Sequence, residues 1–481
     1  MKNELLLYAI VLFPVVGAFS LPFLGKSSET LRNWFALAFI SLSCAFSALL
    51  VPTVLAGHAI TIQHNMPYGI NFVLHADGLA VFMALISSFI GAIIVLYSFS
   101  YISHYDNRNE YYFMVILFLG SMMGLIYSGN LILMYIFWEL TAVASWRLIG
   151  FFRGKKDVLR ADKAFLVTVF GALAMLLGFL MLYSQAGSFD LAAISIALRH
   201  VPISNVAVAL IMLGILSKSA TLPLHTWLPD AGVAPSPVTA LLHAAVLVKI
   251  GVYAYARLFI VTVHPPAMWL VIIPAIAATS ALVSAGAALI ETDIKRIIAY
   301  STVSQIGFIF FGLAVGNPIG IAGGLLYILM HGIAKGGLFL CAGIVEQNTH
   351  IKDIRQLGGL ATTMPLTAIS FLLCAFSVMG IPPFGGFFSK FMVIKGGIDA
   401  GQLWITAVFV LGAVLTILYL FRVFIMVFFG EGKGTQPREG SPVMVGSVVS
   451  LGVLSLLSGV LIYYPFHFTE TVVKQIMGIG H

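Results

Sequence analysis

The chain carries little charge. Aspartate, glutamate, lysine and arginine together make up 9% of its 481 residues, whereas 60% are hydrophobic. Because soluble globular proteins contain roughly 25% charged residues, this composition excludes an ordinary soluble fold. It indicates a protein that lies in a lipid bilayer, with membrane lipid around it.

Cysteines and cofactor motifs are also scarce. The three cysteines, Cys44, Cys341 and Cys374, have no C-x-x-C spacing, so no disulfide framework, zinc site or iron–sulfur motif is predicted. The sequence contains neither G-x-x-x-x-G-K-S/T nor G-x-G-x-x-G, which argues against ATP or dinucleotide binding. We expect no cofactor, no metal and no catalytic residue in this chain. The apolar N-terminus has no A-x-A-like cleavage site, so it is interpreted as a retained first span.

Long apolar runs fill the sequence. Each is about 20 residues long, enough to cross the roughly 30 Å hydrocarbon core as a helix. The runs are continuous rather than alternating, which favours helices over barrel strands. They predict an all-α polytopic membrane protein of about fourteen transmembrane helices: 5–24, 32–55, 79–102, 111–128, 131–152, 163–184, 205–222, 238–261, 268–290, 296–316, 319–345, 364–394, 403–429 and 443–465.

The loops between the runs differ in charge. One set of loops holds Lys26, Arg32, Arg108, Arg153, Lys155, Lys156, Arg160, Lys163, Lys295, Arg296, Lys352, Arg355, Lys433 and Arg438. The other set holds only Lys2, Arg199, Arg257, Lys395 and Lys474. By the positive-inside rule the protein lies in a cell's inner membrane with the first set of loops facing the cytoplasm. An even number of helices then puts both termini outside. This bias accounts for most of the +7 net charge, so nucleic-acid binding is not indicated.

Two predicted helices are broken in matching places. Pro223 interrupts the seventh, shortly after Lys218, and Pro382 with Pro383 interrupt the twelfth, shortly before Lys390. Paired breaks in two halves are typical of inverted-repeat transporters. The second break lies five helices after the first, so helices 4–8 and 9–13 form two repeats that must be inverted because five is odd. The predicted segments are 1–110 (three helices), 111–261, 262–429 and 430–481 (loop and last helix).

Five titratable residues lie deep inside apolar runs. A charge near the bilayer centre costs about 2.5–3.5 kcal/mol on insertion scales. Five such residues on separate helices indicate a path for protons or ions rather than an accident of packing. They are Glu139, Lys218, Lys249, Lys335 and Lys390.

Each of these residues also has a structural interpretation. Glu139 could form an ion pair that locks two helices, although such pairs are costly in lipid. Lys218 and Lys390 could extend from half-helix ends to water. Lys249, with apolar neighbours on both sides, has no such explanation.

Two histidines extend the predicted path. His331 and Lys335 are four residues apart and share one helix face, an arrangement suited to proton relay. His243 is either a packing residue or a relay, and haem binding by the two histidines has little support. Arg147 is interpreted as reaching the cytoplasmic interface, and the charged loop around Glu291 as solvated or bound to a partner.

At this point the motifs match a known family. They are FWEL at 137–140, LPLHTWLPDA at 222–231, APSPVTALLH at 234–243, DIKRIIAYST at 293–302, HGIAK at 331–335 and GIPPFGGFFSK at 380–390. The chain resembles the antiporter-like membrane subunits shared by respiratory complex I, Mrp-type Na+/H+ antiporters and group 4 membrane-bound hydrogenases or formate hydrogenlyases. The resemblance implies fourteen helices in two inverted repeats.

It also implies roles for the buried residues. Glu139 and Lys218 would form the pair of one half-channel, with Lys249 the central lysine. His331 and Lys335 would link it to Lys390, which would end the path. Arg147, where family members usually carry an apolar residue, puts the surroundings of Glu139 in question.

Within the family, the sequence 141–146 and the Gly-Gly-Phe-Phe-Ser-Lys run at 385–390 look closest to the hydrogenase-4 type. The chain ends soon after the last predicted span, unlike the distal member of complex I. The expected function is proton or Na+ translocation in a redox-driven complex of hydrogenase or formate hydrogenlyase type. Expected partners are further antiporter-like subunits, a quinone-site-like membrane subunit, and peripheral redox subunits with Fe–S clusters and a NiFe centre. The alternatives are a Mrp-type antiporter, a complex I subunit, and a scaffold that has lost its path.

Overall fold

The computed structural model describes residues 2–67, 70–432 and 438–478. Met1, Lys433 and residues 479–481, which include both predicted outer termini, fall outside the described residues. Nearly all regular structure is helical, in the order α1 Lys2–Ser27, α2 Glu29–Leu55, α3 Gly78–Tyr101, α4 Arg108–Ile126, α5 Leu131–Ile149, α6 Lys155–Ala186, α7 Leu191–Ala197, α8 Asn205–Lys218, α9 Trp227–Asp230, α10 Ser236–Ala240, α11 Leu247–Tyr255, α12 Trp269–Ile290, α13 Ile294–Ala314, α14 Pro318–Thr349, α15 Pro365–Met379, α16 Gly385–Asp399, α17 Leu403–Phe424, α18 Pro442–Val460 and α19 Tyr463–Met477.

The helices confirm a polytopic all-α membrane protein. Among the described residues, twelve helices are long and apolar enough to span a bilayer. One of them, Ser236–Thr262, joins α10 and α11 through π-helical turns. Two shorter apolar helices, Asn205–Lys218 and Pro365–Met379, lie at the predicted broken seventh and twelfth spans. The count of fourteen stays a prediction.

Both predicted breaks are present. Helix α8 ends at Lys218, the Leu222–Pro223 peptide bond is cis, and helical structure resumes at α9. Helix α15 ends before Gly380, whose positive φ of 83° suits glycine, and the cis Pro382–Pro383 bond precedes α16. Each break leaves helix-end carbonyls without intrahelical partners. The lysines therefore lie beside backbone that can accept hydrogen bonds.

The two halves share several local features. Helices α6 and α14 are each 32 residues long. An isolated β-bridge follows each of them, Asn130–Asp190 in the first half and Asp293–Asp353 in the second. Both halves end in π-helical turns, Ala256–Thr262 and Ile425–Phe429. The helix order puts the bridges at opposite ends of the bundle, as an inverted repeat requires. The segment boundaries at 110, 261 and 429 stay predictions.

Two elements were not predicted from the sequence. Strands β1 Ile60–His64 and β2 Phe72–Ala76 form an antiparallel hairpin between α2 and α3. The predicted last span, 443–465, was too long, because α18 ends at Val460 and the separate helix α19 begins at Tyr463. Helix α19 packs back on the bundle, where Gln475 donates a hydrogen bond to the carbonyl of Val54. Its mixed polar and apolar sequence explains why no further span was predicted.

The centre of the bundle is formed by α13 and α14. The apolar windows of both helices are 94% buried, whereas those of α6 and α17 are 39% buried and expose an apolar face. In a membrane those outer faces contact lipid or neighbouring subunits. The central helices carry Lys335 and His331, so these side chains are held by protein rather than lipid.

Candidate functional site

Glu139 and Lys218 lie at one side of this centre. The Lys218 side chain is fully buried, and its Nζ donates a hydrogen bond to the Trp138 carbonyl at 3.1 Å. The same ammonium lies 5.4 Å from the Trp138 ring centroid, within cation–π range. Glu139 is half-buried, and its Oε1 makes no hydrogen bond to any described residue.

The two charges therefore interact through space. No ion pair of 4.0 Å or less joins Glu139 to Lys218 among the described residues, but the groups are near enough for electrostatic coupling. Lys218 instead bonds the backbone of the residue before Glu139, and the role of the two residues as the pair of one half-channel stays a prediction. A carboxylate with a free buried oxygen can still approach or leave the lysine.

Lys249 and His331 form the closest contact between titratable groups of the path. Lys249 Nζ lies 2.5 Å from His331 Nδ1, and both side chains are fully buried. This contact joins α11 to α14 across the middle of the bundle. A lysine cannot accept a hydrogen bond when charged, so the contact fits a charged lysine with a neutral imidazole, or a neutral lysine that accepts from His331. The proton can therefore reside on either side.

His243 is buried but not hydrogen-bonded. Neither of its ring nitrogens has a partner among the described residues, and its ring packs 4.3 Å from the Phe339 ring centroid. It lies in a π-helical turn, Leu241–Ala245, six residues before Lys249. The structure therefore does not connect His243 to the path by direct hydrogen bonds. Its relay role stays a prediction.

Lys335 is held by the backbone and a hydroxyl of α13. Its Nζ donates to the Ile298 carbonyl at 3.1 Å and to Ser301 Oγ at 2.6 Å. Ser301 Oγ in turn lies 2.8 Å from the Tyr419 hydroxyl. Although Lys335 follows His331 by one helical turn, its own contacts lead toward α13 and α17. A buried ammonium with two oxygen partners is much less costly than an unpaired one.

A cluster of neutral polar side chains continues from there. Gln305 Nε2 donates to Thr416 Oγ1 at 3.1 Å and to the Tyr419 hydroxyl at 3.3 Å. The Tyr327 hydroxyl donates to Gln305 Oε1 at 2.5 Å. Sequence reasoning missed this cluster, which consists of Ser301, Gln305, Tyr327, Thr416 and Tyr419. A glutamine within an apolar helix is the one signal that could have found it.

Lys390 lies at the far side of this cluster. Its Nζ donates to the Val378 carbonyl at 2.7 Å, a carbonyl near the end of α15 that the helix break sets free. It also lies 4.6 Å from the Phe308 ring and 5.6 Å from the Tyr327 ring. Lys390 is 4% exposed, so in the isolated chain it does not extend to water.

Most of the predicted residues are thus brought together. Lys249 contacts His331, the ring of His331 lies 6.0 Å from that of Tyr327, and Tyr327 touches both Lys390 and the polar cluster that holds Lys335. Glu139 and Lys218 stand apart, since no hydrogen bond of the described residues joins them to Lys249. Between them, α11 packs against α8, and at Gly251 there is no room for a Cβ atom beside the Ile215 carbonyl.

A network of ion pairs closes the face that carries the basic loops. Asp230 accepts from Lys163 and Arg296 at 2.8 Å each, and Arg296 also pairs with Glu291 at 2.9 Å. Burial by itself raises the pKa of Asp230, but its two hydrogen-bonded cations bring that pKa below the usual range. The network joins α6, the first helix break and α13.

The charged loop predicted to be solvated is part of this network. Lys295 is 1% exposed and pairs with Glu346 at 2.8 Å. The expectation of a solvated loop was wrong for Lys295, because its ammonium reaches a carboxylate of α14 and the Ala234 carbonyl. Arg147 reaches the same face and pairs with Glu110, which agrees with its interpretation as an interfacial arginine.

Metal ligands do not cluster in the described part of the chain. There, no group of three or more histidine, cysteine, aspartate or glutamate side chains is arranged to hold a metal ion.

Comparison with known proteins identifies the family. Residues 128–416 match the family model described as NADH:quinone oxidoreductase/Mrp antiporter, TM. The chain belongs to this family. Residues 64–113 also match the model for the N-terminus of chain 5 of NADH-ubiquinone oxidoreductase (complex I). The two matches together cover strand β2 and every candidate residue of the path.

Relatives of this family with high similarity carry antiporter names. The chain is 33% identical over 506 residues to the A1 component of the Na(+)/H(+) antiporter of Staphylococcus haemolyticus, covering 98% of this chain and 62% of that protein. It is 34% identical over 509 residues to the corresponding Na(+)/H(+) antiporter component of Alkalihalophilus pseudofirmus, covering 96% of this chain and 62% of the relative. The chain thus spans about three fifths of the length of these curated relatives.

Solved structures share the fold over nearly the whole chain. A chain of the membrane-bound sulfane sulfur reductase, an archaeal respiratory membrane complex, superposes with a TM-score of 0.90 at 24% identity, covering 98% of this chain and 97% of that one. A chain of the Mrp complex from Dietzia gives 0.86 at 23% identity with the same coverage of both chains. A chain of respiratory complex I from Thermus thermophilus gives 0.84 at 25% identity, covering 98% and 99%.

Proposed function

We propose that this chain is an antiporter-like, ion-translocating subunit of a multi-subunit membrane complex. The observation that carries the proposal is the set of buried titratable residues at the centre of the bundle, where Lys218, Lys249, His331 and Lys335 are all fully buried. Burying so many ionisable groups in a membrane protein is energetically costly, and ionisable groups found there usually have a function. Membership of the NADH:quinone oxidoreductase/Mrp antiporter family supports this function.

The proposed path has two parts. Glu139 sets the proton affinity of Lys218 by moving toward or away from it, because a nearby negative charge favours the ammonium form. Lys249 exchanges a proton with His331, and Lys335 and Lys390 hold charge on either side of the polar cluster. Pro223 interrupts the helix after Lys218, and Pro382 with Pro383 keep the second break open, so that the freed Val378 carbonyl can bond Lys390. His243 would assist between Lys249 and Lys335.

The complex to which the chain belongs is a second question. The sequence favoured a hydrogenase or formate hydrogenlyase type, with Fe–S and NiFe centres in partner subunits. The antiporter names of relatives 33–34% identical over nearly the whole chain favour a Mrp-type Na+/H+ antiporter instead. We therefore propose a complex of the Mrp type, in which other membrane subunits are the partners of this chain. The protein would lie in the inner membrane with its basic loops facing the cytoplasm.

The proposal is tested in everted membrane vesicles that carry the complete complex. Adding Na+ is expected to collapse a preformed pH gradient, and Lys218→Met or Glu139→Gln to abolish the response because each removes one charge of the first half-channel. The control is the surface pair Glu470–Lys474, 3.1 Å apart, for which Glu470→Gln and Lys474→Met leave the response intact. Full activity in Lys218→Met vesicles with normal complex assembly would refute the proposal.

The same preparation separates the two kinds of complex. Iron and nickel analysis of the purified assembly is expected to find neither metal in stoichiometric amount for a Mrp-type antiporter. Stoichiometric iron and nickel would instead support the hydrogenase-type complex.

A further inference from the structure

A cluster of charged and polar residues lies on the face opposite the basic loops. Arg257 forms a two-pronged ion pair with Asp77, with Nη1–Oδ2 and Nη2–Oδ1 distances of 2.6 and 2.7 Å. Arg257 Nε also donates to the Tyr253 hydroxyl at 3.1 Å. The arginine side chain is 4% exposed and the aspartate side chain 22% exposed. The pair therefore sits at the boundary between the buried core and the surface.

The same helix carries the central lysine of the path. Lys249, Tyr253 and Arg257 are spaced four residues apart, so their side chains follow one face of the helix. Lys249 is fully buried at the middle of the bundle, whereas Arg257 lies near the helix end. The three residues form a polar line from the centre of the bundle to the outer end of this helix.

A cavity lies at the outer end of this line. Its volume is about 260 Å³, and its lining includes Thr61, His75, Asp190, Ser195 and Arg257. His75 Nε2 is 3.8 Å from Asp77 Oδ2, and His75 Nδ1 is 2.9 Å from Thr61 Oγ1. The volume exceeds the roughly 30 Å³ share of one water molecule several-fold, and the lining supplies polar partners for water.

Arg257 is the residue of this line that also lines the cavity. Although burial by itself raises the pKa of Asp77, Arg257 holds that pKa well below its usual range, so Asp77 stays a carboxylate while the pair is formed. Arginine stays charged in proteins, and both its terminal nitrogens are bonded to Asp77. While the pair is formed, neither of its members is therefore free to pass a proton to the cavity.

We propose that Asp77, Arg257 and Tyr253 form the outward ion port of the first repeat, shut in this structure by the Asp77–Arg257 pair. The proposal rests on the proposed function, because it gives the proton of Lys249 a way out. When Arg257 leaves Asp77, water enters beside Tyr253. The Lys249 ammonium gives one proton to this water, and the lysine becomes a neutral amine. That water passes the proton to the cavity, and the arginine keeps its own charge throughout.

A purely structural role is the competing explanation. A buried ion pair that only ties α3 to α11 could be replaced by apolar residues at little cost. A structural role also accounts for the Tyr253 hydroxyl, which donates to the Ile126 carbonyl, but it does not require a cavity with polar side chains beside the pair. The test must therefore ask whether the cavity lies on the transport route.

The decisive experiment blocks the cavity from outside. Ser195→Cys places a thiol in the cavity lining, and Ser184→Cys places one on the same face but outside the cavity. A charged, membrane-impermeant methanethiosulfonate is added to right-side-out vesicles that contain the assembled complex. After modification, we expect the rate of ion transport to fall by about tenfold or more in Ser195→Cys. We expect no loss in Ser184→Cys or in the unaltered chain.

A second pair of variants tests the hydroxyl. Tyr253→Phe is expected to slow transport by roughly tenfold, while Tyr255→Phe, whose ring packs on Phe259 and Phe310, keeps the unaltered rate. Undiminished transport in fully modified Ser195→Cys vesicles overturns the port. If Lys249→Met then still abolishes transport, the proposed function stands and only the port fails. If Lys249→Met transports normally, both fail.

Discussion

Lys249 Nζ and His331 Nδ1 are 2.5 Å apart at the centre of the bundle. The contact joins a helix of the first half to the longest helix of the second half, α14. Either group can hold the shared proton. This contact therefore links ionisable groups of the two halves at the centre of the bundle, as the Arg296–Asp230 pair does at the face with the basic loops.

The first prediction concerns the polar cluster that contains Gln305 and Tyr327. Tyr327→Phe removes the hydroxyl that donates to Gln305 while keeping the ring beside Lys390. Ion transport by the assembled complex is expected to fall by roughly tenfold, because water and protons lose one hydrogen-bonding group between Lys335 and Lys390. Tyr112→Phe is the matched control, since the buried Tyr112 hydroxyl has no partner among the described residues. Equal rates for both variants would exclude the cluster from the path.

Helix packing near Lys249 makes the second prediction. A methyl group at Gly251 would lie 2.6 Å from the Ile215 carbonyl oxygen, and backbone atoms cannot move aside easily. We expect Gly251→Ala to lower the unfolding free energy of the detergent-solubilised protein by about 1–3 kcal/mol. At Gly286 the added methyl meets no atom within 4 Å, so Gly286→Ala leaves thermal stability unchanged or slightly raised. A stable Gly251→Ala protein would contradict this close packing.

The ion pairs around Asp230 predict a pH dependence of stability. The pKa of Asp230 is lower in the folded chain than its ordinary value of about 3.9. Its contribution to stability is therefore fully present above pH of about 4 and is lost as the pH falls through the folded pKa. Thermal unfolding in detergent should show a gap between the unaltered chain and Asp230→Asn that is constant above about pH 5 and closes in acid.

A surface carboxylate serves as the control for that titration. Asp399 pairs with Lys395 at 3.0 Å on an exposed helical turn. We expect Asp399→Asn to leave the thermal stability almost unchanged. A gap for Asp230→Asn that persists unchanged to acid pH would show that the lost stability comes from packing rather than from charge.

The sequence was sufficient for the membrane fold, the two breaks and the burial of the predicted lysines, for one physical reason. Charged groups and prolines are rare in apolar helices because they are costly there, so Lys249, Lys335 and Pro223 stand out in a single sequence. The resemblance to the family supplied the order of these residues in the proposed path. These features needed no knowledge of the partners of each side chain.

The hydrogen-bond partners of these side chains could not be predicted from the sequence. Gln305 and Tyr419 meet across 114 positions of the chain, so even a glutamine that is unusual in an apolar helix does not reveal its partner. The hydrogen bond from Lys218 to the Trp138 carbonyl depends on the position of one backbone group, which sequence does not specify. The hairpin was missed because each strand has only five residues.

The central claim is that ions cross the membrane through the buried lysines of this chain. The most direct test is Na+-dependent proton movement in everted vesicles that carry the complete complex with Lys249→Met, compared with the surface variant Lys395→Met, with assembly checked on native gels. We predict that Lys249→Met abolishes proton movement while the complex assembles normally, and that Lys395→Met behaves like the unaltered chain. Normal proton movement in the assembled Lys249→Met complex would contradict the account.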